Sequence, residues 1–414
     1  MRMWVRAVVW SILIGMAMLA SRPVHAQSAP SGVAEEDFTV TLGDGWVSQA
    51  KLTYPAGRSG PFPTVLLVLH PDVSMDFLVP PVSNDPIYKD LAEYLSARGI
   101  AVVRYNPRYV TGPGEYADQE KVFAQMPVDM VADARRVLEA IKTNPRVDAR
   151  RVFAHGWSFS TLAAAELVAQ TPELAGLILV GPVATSDRQM FIEDYTDIVL
   201  PYLLTYAPDG RITANALKQA QEGDGGFNTK GLLGFAFVDG SVTDRVAVNP
   251  FFDKNSDGVL DLNNEILPNL GAWVDTDPFV EIYRSIPNVY DQGSVIRQPV
   301  LVLQGELDGA TRLRNVRGLN QAFANHPDFT LKEYPGLGHA LEPTRGLSYN
   351  QLTFYSEQPK ADYAAWVLAR SAPAVPAALP RTGGADTHVL LALLALLSLL
   401  ASGIGWRLKR RAVT

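Results

Sequence analysis

The chain has 414 residues, no cysteine, 47% hydrophobic residues and a formal net charge of −7. That length suits one large α/β domain with an elaboration, or two ordinary domains, and the apolar fraction excludes a disordered chain. The lack of cysteine excludes disulfides, thiolate metal sites and a cysteine nucleophile.

Residues 1–26 have the three-part pattern of a secretory signal peptide. Arg2 and Arg6 precede an apolar run at residues 7–20, and small residues flank His25 before a cleavage point after Ala26. An uncleaved membrane anchor is the alternative interpretation. The Pro-, Ala- and Ser-rich stretch that follows predicts a linker at 27–36.

Beyond the linker, short apolar segments alternate with longer amphipathic ones, which predicts strands alternating with helices. The predicted strands are Phe38–Leu42, Trp46–Tyr54, Thr64–Leu69, Ile100–Tyr105, Val152–Ala154, Leu177–Val180, Val300–Leu303 and Phe329–Tyr334. The predicted helices are Ile87–Arg98, Val128–Lys142, Ser158–Gln170 and Pro359–Arg370. This alternation predicts the α/β class, with a mostly parallel sheet covered by helices on both faces.

One interval interrupts the alternation between the sixth and the seventh of these strands. Residues 187–291 show no short strand–helix unit and hold 17 acidic against 7 basic residues. We therefore predict a core in two parts, 37–186 and 292–370, with a large insertion, or cap, at 187–291.

The C-terminal region has the order of parts of a surface-anchoring signal. Leu379-Pro380-Arg381-Thr382-Gly383 is followed by an apolar stretch at 389–406 and by a basic tail. Together these resemble the LPxTG-type sorting signal of cell-wall-anchored proteins of Gram-positive type, with the linker and motif at 371–382 and the span and tail at 383–414. The resemblance implies that a sortase cuts between Thr382 and Gly383 and joins Thr382 to the cell wall, whereas a permanent membrane anchor is the alternative. Either interpretation makes the protein secreted, with its globular part outside the cell.

Without the predicted signal peptide and the segment after Thr382, the chain is more acidic. Residues 27–382 contain 29 basic and 42 acidic residues, a balance of −13. A nucleic-acid-binding protein needs a basic surface, so this class is excluded.

A serine at a strand-to-helix turn is the first candidate for chemistry. The stretch His155-Gly156-Trp157-Ser158-Phe159-Ser160 follows a predicted strand and opens a predicted helix. A serine on such a turn projects its hydroxyl from the carboxyl edge of the sheet. Ser158 is the candidate nucleophile, although Ser160 stands where the usual G-x-S-x-G pattern has glycine.

A serine nucleophile needs a base, and histidine is the usual one. Residues 27–382 contain four histidines, and His339 is the candidate because it lies in a glycine-rich loop after the last predicted strand. Its carboxylate partner is expected after strand Val300–Leu303, with Asp308 preferred over Glu306. The order Ser158, Asp308, His339 is the order of the α/β-hydrolases.

With these residues in place, the chain resembles bacterial α/β-hydrolases of the serine aminopeptidase/acyltransferase-like branch over about Val65–Pro182 and Gln298–Leu341. The resemblance implies the α/β-hydrolase fold and an oxyanion hole made of two backbone N–H groups, one from Phe159. The family commonly has His-Gly-Ser-Gly-Pro after its first core strand, whereas this chain has His70-Pro71-Asp72-Val73-Ser74. Because proline lacks an N–H, the second donor is expected from Asp72 or Val73.

A second motif lies in the insertion. Residues 253–261 reproduce positions one to nine of an EF-hand-type calcium loop, with glycine at position six. Asn264 stands at position twelve, where the glutamate is expected, and Glu265 follows it. A structural calcium ion is one interpretation and an ordinary polar turn is the other; the candidate ligands are Asp253, Asn255, Asp257, Val259, Asp261 and Glu265.

Three hypotheses for function follow from these residues. The first is a surface-displayed serine hydrolase that cleaves a small ester, thioester or amide and needs no cofactor for catalysis. The second is an aminopeptidase-like peptidase acting on short peptides. The third is a catalytically weak surface binding module on a hydrolase scaffold. The substrate, the sortase and the cell wall are the predicted partners, with transient or permanent membrane contact at residues 389–406.

Overall fold

The computed structural model describes residues 32–78, 84–276 and 284–372. Within these residues the strands β1 to β12 are, in chain order, Val33–Thr41, Val47–Pro55, Phe62–Val68, Ala101–Tyr105, Val110–Gly112, Glu115–Tyr116, Val147–Trp157, Gly176–Val180, Arg211–Thr213, Val259–Asp261, Val300–Gly305 and Phe329–Tyr334. The helices α1 to α13 are Ile87–Ser96, Gln119–Phe123, Pro127–Ile141, Ser160–Ala169, Asp187–Asp194, Leu200–Leu203, Ala214–Glu222, Phe227–Phe237, Leu267–Val274, Val289–Gln292, Leu313–Val316, Leu319–Ala322 and Glu357–Ser371. Two π-helical turns, Tyr195–Val199 and Leu262–Ile266, and a 3-10 turn at Leu347–Tyr349 complete them.

Eight of the strands form one sheet in the order β1-β2-β4-β3-β7-β8-β11-β12. Strand β2 runs antiparallel to β1 and to β4, and every other pair in the sheet is parallel. This arrangement, with an antiparallel second strand and a crossover between the third and fourth, is the α/β-hydrolase fold. The predicted fold class is confirmed.

The sheet separates two hydrophobic layers because side chains alternate along each strand. In β3, Leu66 and Val68 face one layer, whereas Val65 and Leu67 face the other. The first layer is covered by α3 and α4, and the second by α1 and α13. The loops at the carboxyl ends of the parallel strands are left at one edge, where ligands bind in open α/β sheets.

Most predicted elements are observed with their ends shifted by a few residues. Strand β7 is much longer than the predicted segment Val152–Ala154, because its first half reaches back to Val147 and pairs with Phe62. The predicted linker at 27–36 extends too far: β1 already begins at Val33, which pairs with Pro55. The alternation of apolar and polar residues along β1 is weak because this strand lies at the edge of the sheet.

The chain between β8 and β11 departs from the strand–helix alternation, at the place of the predicted insertion. It contains helices α5 to α10, the two π-helical turns and a small antiparallel pair formed by β9 and β10. Strand β9 leads directly into α7, and β10 leads through a π-helical turn into α9, so two short strand–helix units that the sequence did not reveal are present. The domain boundaries themselves stay predictions.

The described residues up to Arg370 belong to one compact unit, and Ser371 and Ala372 are assigned to a second. The predicted signal peptide, the sorting motif and the apolar stretch at 389–406 lie outside the described residues. Within the described ranges, no helix combines the length and apolar character needed to cross a bilayer.

Candidate active site

Ser158 occupies a strained turn between β7 and α4. Its backbone has φ of +55° and its N–H donates to the carbonyl of Val180 at 2.9 Å. The turn is tight: a Cβ at Gly156 would lie 2.7 Å from the carbonyl oxygen of Ser160, so only glycine fits there. A left-handed serine is uncommon and requires firm support from its surroundings.

Ser160 supplies part of that support. Its Oγ accepts the N–H of Trp157 at 3.0 Å and donates to the carbonyl of Trp157 at 2.9 Å. Ser160 is fully buried, whereas Ser158 is partly exposed. The serine at the fifth position of the motif therefore closes the turn that presents Ser158.

His339 and Asp308 form a buried pair. Nδ1 of His339 lies 2.9 and 3.0 Å from the two carboxylate oxygens of Asp308, and each residue is 1% exposed. Asp308 also accepts the N–H groups of Ala310 and Thr311, both at 2.8 Å, and a hydrogen bond from Gln304 at 3.0 Å. Burial raises the pKa of the Asp308 carboxyl, but His339 and the two backbone N–H groups outweigh this effect and lower the pKa overall.

The pair lies at the edge of the sheet that carries Ser158. Gly181 directly follows β8, the neighbour of β7, and a Cβ there would lie 3.0 Å from both Asp308 Oδ2 and His339 Nδ1. Trp157, the residue before Ser158, donates its indole N–H to the carbonyl of His339 at 2.9 Å. The structure thus brings the three residues of the predicted triad to one region.

Glu306, the alternative acid, lies elsewhere. Its side chain is exposed and accepts the N–H of Gly336 at 3.2 Å. It therefore supports the loop before His339 from outside, and Asp308 is the carboxylate that contacts the imidazole.

Asn350 joins the loop of the acid to the loop of the base. Its Oδ1 accepts the N–H of His339 at 2.8 Å and that of Gly309 at 2.9 Å. Its Nδ2 donates to the carbonyl of Leu307 at 2.9 Å. Asn350 is 1% exposed, and sequence reasoning missed it because a lone asparagine in a loop has no distinctive spacing.

Glu342 is a second residue that sequence reasoning missed. Its Oε2 accepts the N–H of Ala340 at 2.8 Å and its Oε1 that of Gln351 at 2.9 Å. Burial raises the pKa of this carboxyl to about 7, and the negative charge of Asp308 adds to the shift, while His339 opposes it. A titratable acid thus supports the backbone next to the imidazole.

The insertion contacts the pair through the start of α8. The ring of Phe227 stacks on His339 with centroids 6.3 Å apart, and Asn228 donates to the carbonyl of Gly309 at 2.7 Å. Asn228 also contacts the carboxyl of Asp194, whose pKa is raised well above the ordinary value by burial and by the charge of Asp308. The insertion therefore brings side chains against His339 and against Gly309, the residue after Asp308.

The other three described histidines do not take part in the Asp308–His339 pair and bond to other groups. His155 is buried on the side of the sheet covered by α1 and α13, where its Nδ1 lies 3.2 Å from the hydroxyl of Tyr363. Burial lowers the pKa of His155 to about 3. His326 precedes β12 and its Nδ1 accepts the N–H of Asp328 at 3.1 Å. His70 follows β3, and its Nδ1 bonds to the carboxylate of Asp72.

The loop after β3 differs from the expectation for an oxyanion hole. The N–H of Val73 donates to the carbonyl of His70 at 3.3 Å, while the Asp72 carboxylate bonds to Nδ1 of His70. The N–H of Val73 is thus used within the loop, whereas Asp72 as the second oxyanion donor stays a prediction. Phe159, the other predicted donor, stands at the N-cap of α4, where a helix favours negative charge.

The calcium motif forms a turn braced by its own side chains. Asp253 accepts the N–H groups of Asp257 and Gly258, each at 3.1 Å, and Asn255 accepts that of Asp257 at 2.8 Å. Val259 and Asp261 are the ends of β10.

The remaining predicted ligands are used for other bonds. Asp261 caps the following π-helical turn, and Glu265 accepts the N–H groups of Lys254 at 2.9 Å and of Asp261 at 2.8 Å. Calcium takes six to eight oxygen ligands, so the loop as folded fits the ion only in part. Among the described residues, no group of three or more histidine, aspartate or glutamate side chains is arranged to hold a metal.

Comparison with known proteins finds sequence similarity to hydrolases over part of the chain. The family model of the serine aminopeptidases, S33, matches residues 86–255, a segment that includes Ser158 but ends before Asp308 and His339. The chain is 32% identical over 194 residues to the esterase EstD of Thermotoga maritima. That match covers 46% of this chain and 42% of EstD, so the chain spans less than half the length of this curated relative.

Solved structures with a similar backbone fold include two esterases. Est1E from Butyrivibrio proteoclasticus has a TM-score of 0.45 at 16% identity, covering 83% of this chain and 100% of that one. The Pyrococcus furiosus esterase Pf2001 has a TM-score of 0.47 at 12% identity, covering 85% and 98%.

Proposed function

We propose that this chain is a serine hydrolase that cleaves small carboxylic esters through an acyl-enzyme. The observation that carries the proposal is the buried Asp308–His339 pair at the sheet edge where Ser158 stands in its strained turn. The match to the serine aminopeptidase model and the identity with EstD support it. Chemistry of this kind needs no redox or nucleotide cofactor.

The proposed reaction uses the three side chains in fixed roles. Ser158 Oγ attacks the ester carbonyl carbon while His339 Nε2 takes the hydroxyl proton, and the tetrahedral intermediate carries a negative oxygen. As the intermediate collapses, the carbon–oxygen bond to the alcohol breaks and His339 returns the proton to the leaving oxygen. Water then attacks the acyl-enzyme with the same proton transfers and releases the carboxylic acid and free Ser158.

Asp308 and the surrounding residues hold the imidazole in place. The carboxylate contacts Nδ1, which leaves Nε2 for Ser158 and stabilises the charged imidazolium that forms during the reaction. Its lowered pKa keeps Asp308 ionised throughout the neutral range. Phe227 covers one face of the ring, so the insertion restricts access of water to the pair.

A peptidase is the second candidate, favoured by the acidic insertion. Asp194 is buried, and burial and the negative charge of Asp308 raise its pKa, so an acid of the insertion lies near the catalytic pair. An acid in this place could orient a free amino group. Parallel assays with p-nitrophenyl esters and aminoacyl-anilides distinguish the two candidates, and we expect the esters to be turned over faster.

The test of the proposed function is active-site labelling. A fluorophosphonate probe should label the wild-type protein and should not label Ser158→Ala. Ser160→Ala is the matched control: it loses the hydrogen bonds to Trp157 but keeps the nucleophile, so labelling should persist. An unlabelled wild-type protein would instead favour the third hypothesis, a binding module on a hydrolase scaffold.

We further propose that the protein is secreted and attached to the cell envelope. The support comes from the signal-like pattern at residues 1–26 and from the sorting motif, apolar stretch and basic tail at 379–411. Mass spectrometry of cell-wall digests should find peptides ending at Thr382 and none from Gly383 onward. Recovery of an intact tail from detergent-soluble membranes would instead establish a permanent anchor.

A further inference from the structure

His339 lies in a tight turn whose shape needs support from its surroundings. The N–H of Leu341 donates to the carbonyl of Gly338 at 3.1 Å, and the N–H of Gly338 donates to the carbonyl of Glu342 at 2.8 Å. Leu341 adopts φ of +57°, a left-handed conformation that is unfavourable for a residue with a bulky side chain. Such a backbone persists only where neighbouring groups fix it. The position of the imidazole therefore depends on the groups that hold this turn.

The carboxylate of Glu342 is one of these groups, and it accepts two backbone N–H groups. Its Oε2 accepts the N–H of Ala340, the residue after His339, at 2.8 Å. Its Oε1 accepts the N–H of Gln351 at 2.9 Å, and Gln351 directly follows Asn350, whose side chain accepts the N–H of His339 at 2.8 Å. Glu342 is 1% exposed, so these bonds are made away from bulk water. One carboxylate thus joins the His339 turn to the segment that carries Asn350.

The two hydrogen bonds depend on the ionised form of Glu342. An ionised carboxylate accepts at both oxygens, whereas protonation turns one oxygen into a hydroxyl that donates. Hydrogen bonds to a charged acceptor are also about twice as strong as those between neutral groups. The turn packs closely on this carboxyl, because a Cβ at Gly338 would lie only 2.6 Å from Oε1 of Glu342. Protonation therefore leaves one of the two N–H groups without its strong acceptor.

The surroundings of Glu342 place its ionisation in the neutral range. Burial raises the pKa of its carboxyl to about 7; His339 and the N–H of Ala340 oppose the rise, and the negative charge of Asp308 adds to it. Tyr355, from the segment before α13, is a further titratable group that interacts with this carboxyl. Burial above all raises the pKa of Tyr355 well above its ordinary value, so Tyr355 stays neutral where Glu342 titrates. Both forms of Glu342 are thus populated in the pH range in which a histidine base works.

We propose that Glu342 is a positioning residue for His339, and that only its ionised form holds the imidazole in the geometry that accepts the proton of Ser158. The inference rests on the proposed function and adds a control by pH to it. Glu342 acts through the backbone N–H groups that it accepts, so no bond to it forms or breaks during the reaction. Turnover should rise as Glu342 ionises, separately from the ionisation of His339 itself.

The test compares wild-type protein with Glu342→Gln, whose amide has one accepting and one donating end and so imitates the protonated acid at every pH. Because burial favours the neutral form of the acid, the neutral glutamine should be tolerated in the fold. Hydrolysis of p-nitrophenyl acetate is measured from pH 5.5 to pH 9, and melting curves at each pH show that both proteins are folded. Glu306→Gln is the matched control, because this exposed carboxylate accepts the N–H of Gly336 in the same region.

At pH 9 the kcat of Glu342→Gln should be about 10-fold below that of wild type, with a smaller change in KM, because displacement of the base affects the chemical step. Below pH 6 the two proteins should converge, because Glu342 is then protonated in wild type as well. Loss of the Glu342 charge also disfavours the imidazolium of His339, but this effect favours the variant at low pH and does not lower its kcat at pH 9. Glu306→Gln should follow wild type at every pH.

Three results would overturn the inference. Equal kcat values for wild type and Glu342→Gln at pH 9 would show that the base does not need the carboxylate. An equal loss at every pH would assign Glu342 a structural role that does not depend on its ionisation. A difference that widens toward low pH would contradict the sign of the proposed dependence. If wild-type protein neither reacts with fluorophosphonate nor turns over esters, the proposed function fails first, and this inference fails with it.

Discussion

The side-chain oxygen of Asn350 accepts the backbone N–H of His339 at 2.8 Å, and the same oxygen holds the N–H of Gly309, the residue after Asp308. One buried amide therefore sets the distance between the loops that carry the base and the acid. Catalytic geometry is sensitive to displacements of about an ångström, so this amide is a positioning residue for the pair.

Asn350→Ala should lower kcat by about 10-fold to 100-fold with a smaller change in KM, because the His339–Asp308 pair loses its common support. It should also lower the free energy of unfolding by about 1–3 kcal/mol, since buried N–H groups lose their acceptor. Steady-state kinetics and urea denaturation measure the two effects. Asn320→Ala is the control, because this asparagine is exposed and its side chain donates to the carbonyl of Arg317, far from the His339–Asp308 pair in the chain. Equal kinetics for both variants would refute the positioning role.

Replacement of the acid should separate Asp308 from Glu306. Asp308→Asn should reduce kcat by about 10⁴, because the imidazole loses the charge that selects its tautomer. Glu306→Gln should leave kcat nearly unchanged, because that side chain is exposed and bonds only to Gly336 in the described contacts. If Glu306→Gln is the more damaging change, the acid has been misassigned by two residues.

Glu342 should make stability depend on pH in an unusual direction. Its pKa is about 7 in the folded protein against about 4.3 in an unfolded chain, so between these values the folded state binds more protons. Its contribution is therefore fully present below the unfolded pKa and is lost as the pH rises through 7.

Melting curves from pH 5 to pH 9 test this linkage. Wild-type protein should lose more stability over this range than Glu342→Gln, which carries no titrating proton, with each pKa unit of difference worth about 1.4 kcal/mol. Glu222→Gln, on the exposed end of α7, is the control and should follow wild type. Parallel curves for wild type and Glu342→Gln would exclude the raised pKa.

Calcium should act on the insertion and not on the chemistry. The turn supplies Asp253, Asn255 and Asp257 only, so binding should be weak, with a dissociation constant of about 10⁻⁴ to 10⁻³ M. Calcium at ten times that constant should raise the free energy of unfolding by about 1.4 kcal/mol, and Asp257→Ala should abolish the effect. Ester hydrolysis well below the melting temperature should not respond to chelator. A melting curve unchanged by millimolar calcium would leave residues 253–261 as a polar turn.

Much of the fold could be predicted because short-range patterns of apolar and polar residues indicate its strands and helices. Continuous apolar runs such as Val300–Leu303 indicate strands buried on both faces, and their alternation with amphipathic helices leaves few arrangements other than a parallel sheet. Parallel strands bring their following loops to one edge, so Ser158, Asp308 and His339 could be grouped from their places after β7, β11 and β12 alone.

The details that govern chemistry depend on contacts between residues far apart in the chain. Asn350 reaches Leu307, 43 residues away, and Asn228 reaches Gly309 across 81 residues. No spacing or periodicity in the sequence indicates such pairs, because a hydrogen bond requires only that two polar groups come into contact when the loops fold. The same holds for the Asp72 carboxylate: its place in the sequence does not reveal its partner, and only the folded loop brings it onto His70. Local sequence thus determines the strands and the order of the candidate residues, whereas burial and direction, which decide how each side chain ionises and what it contacts, arise only from the tertiary structure.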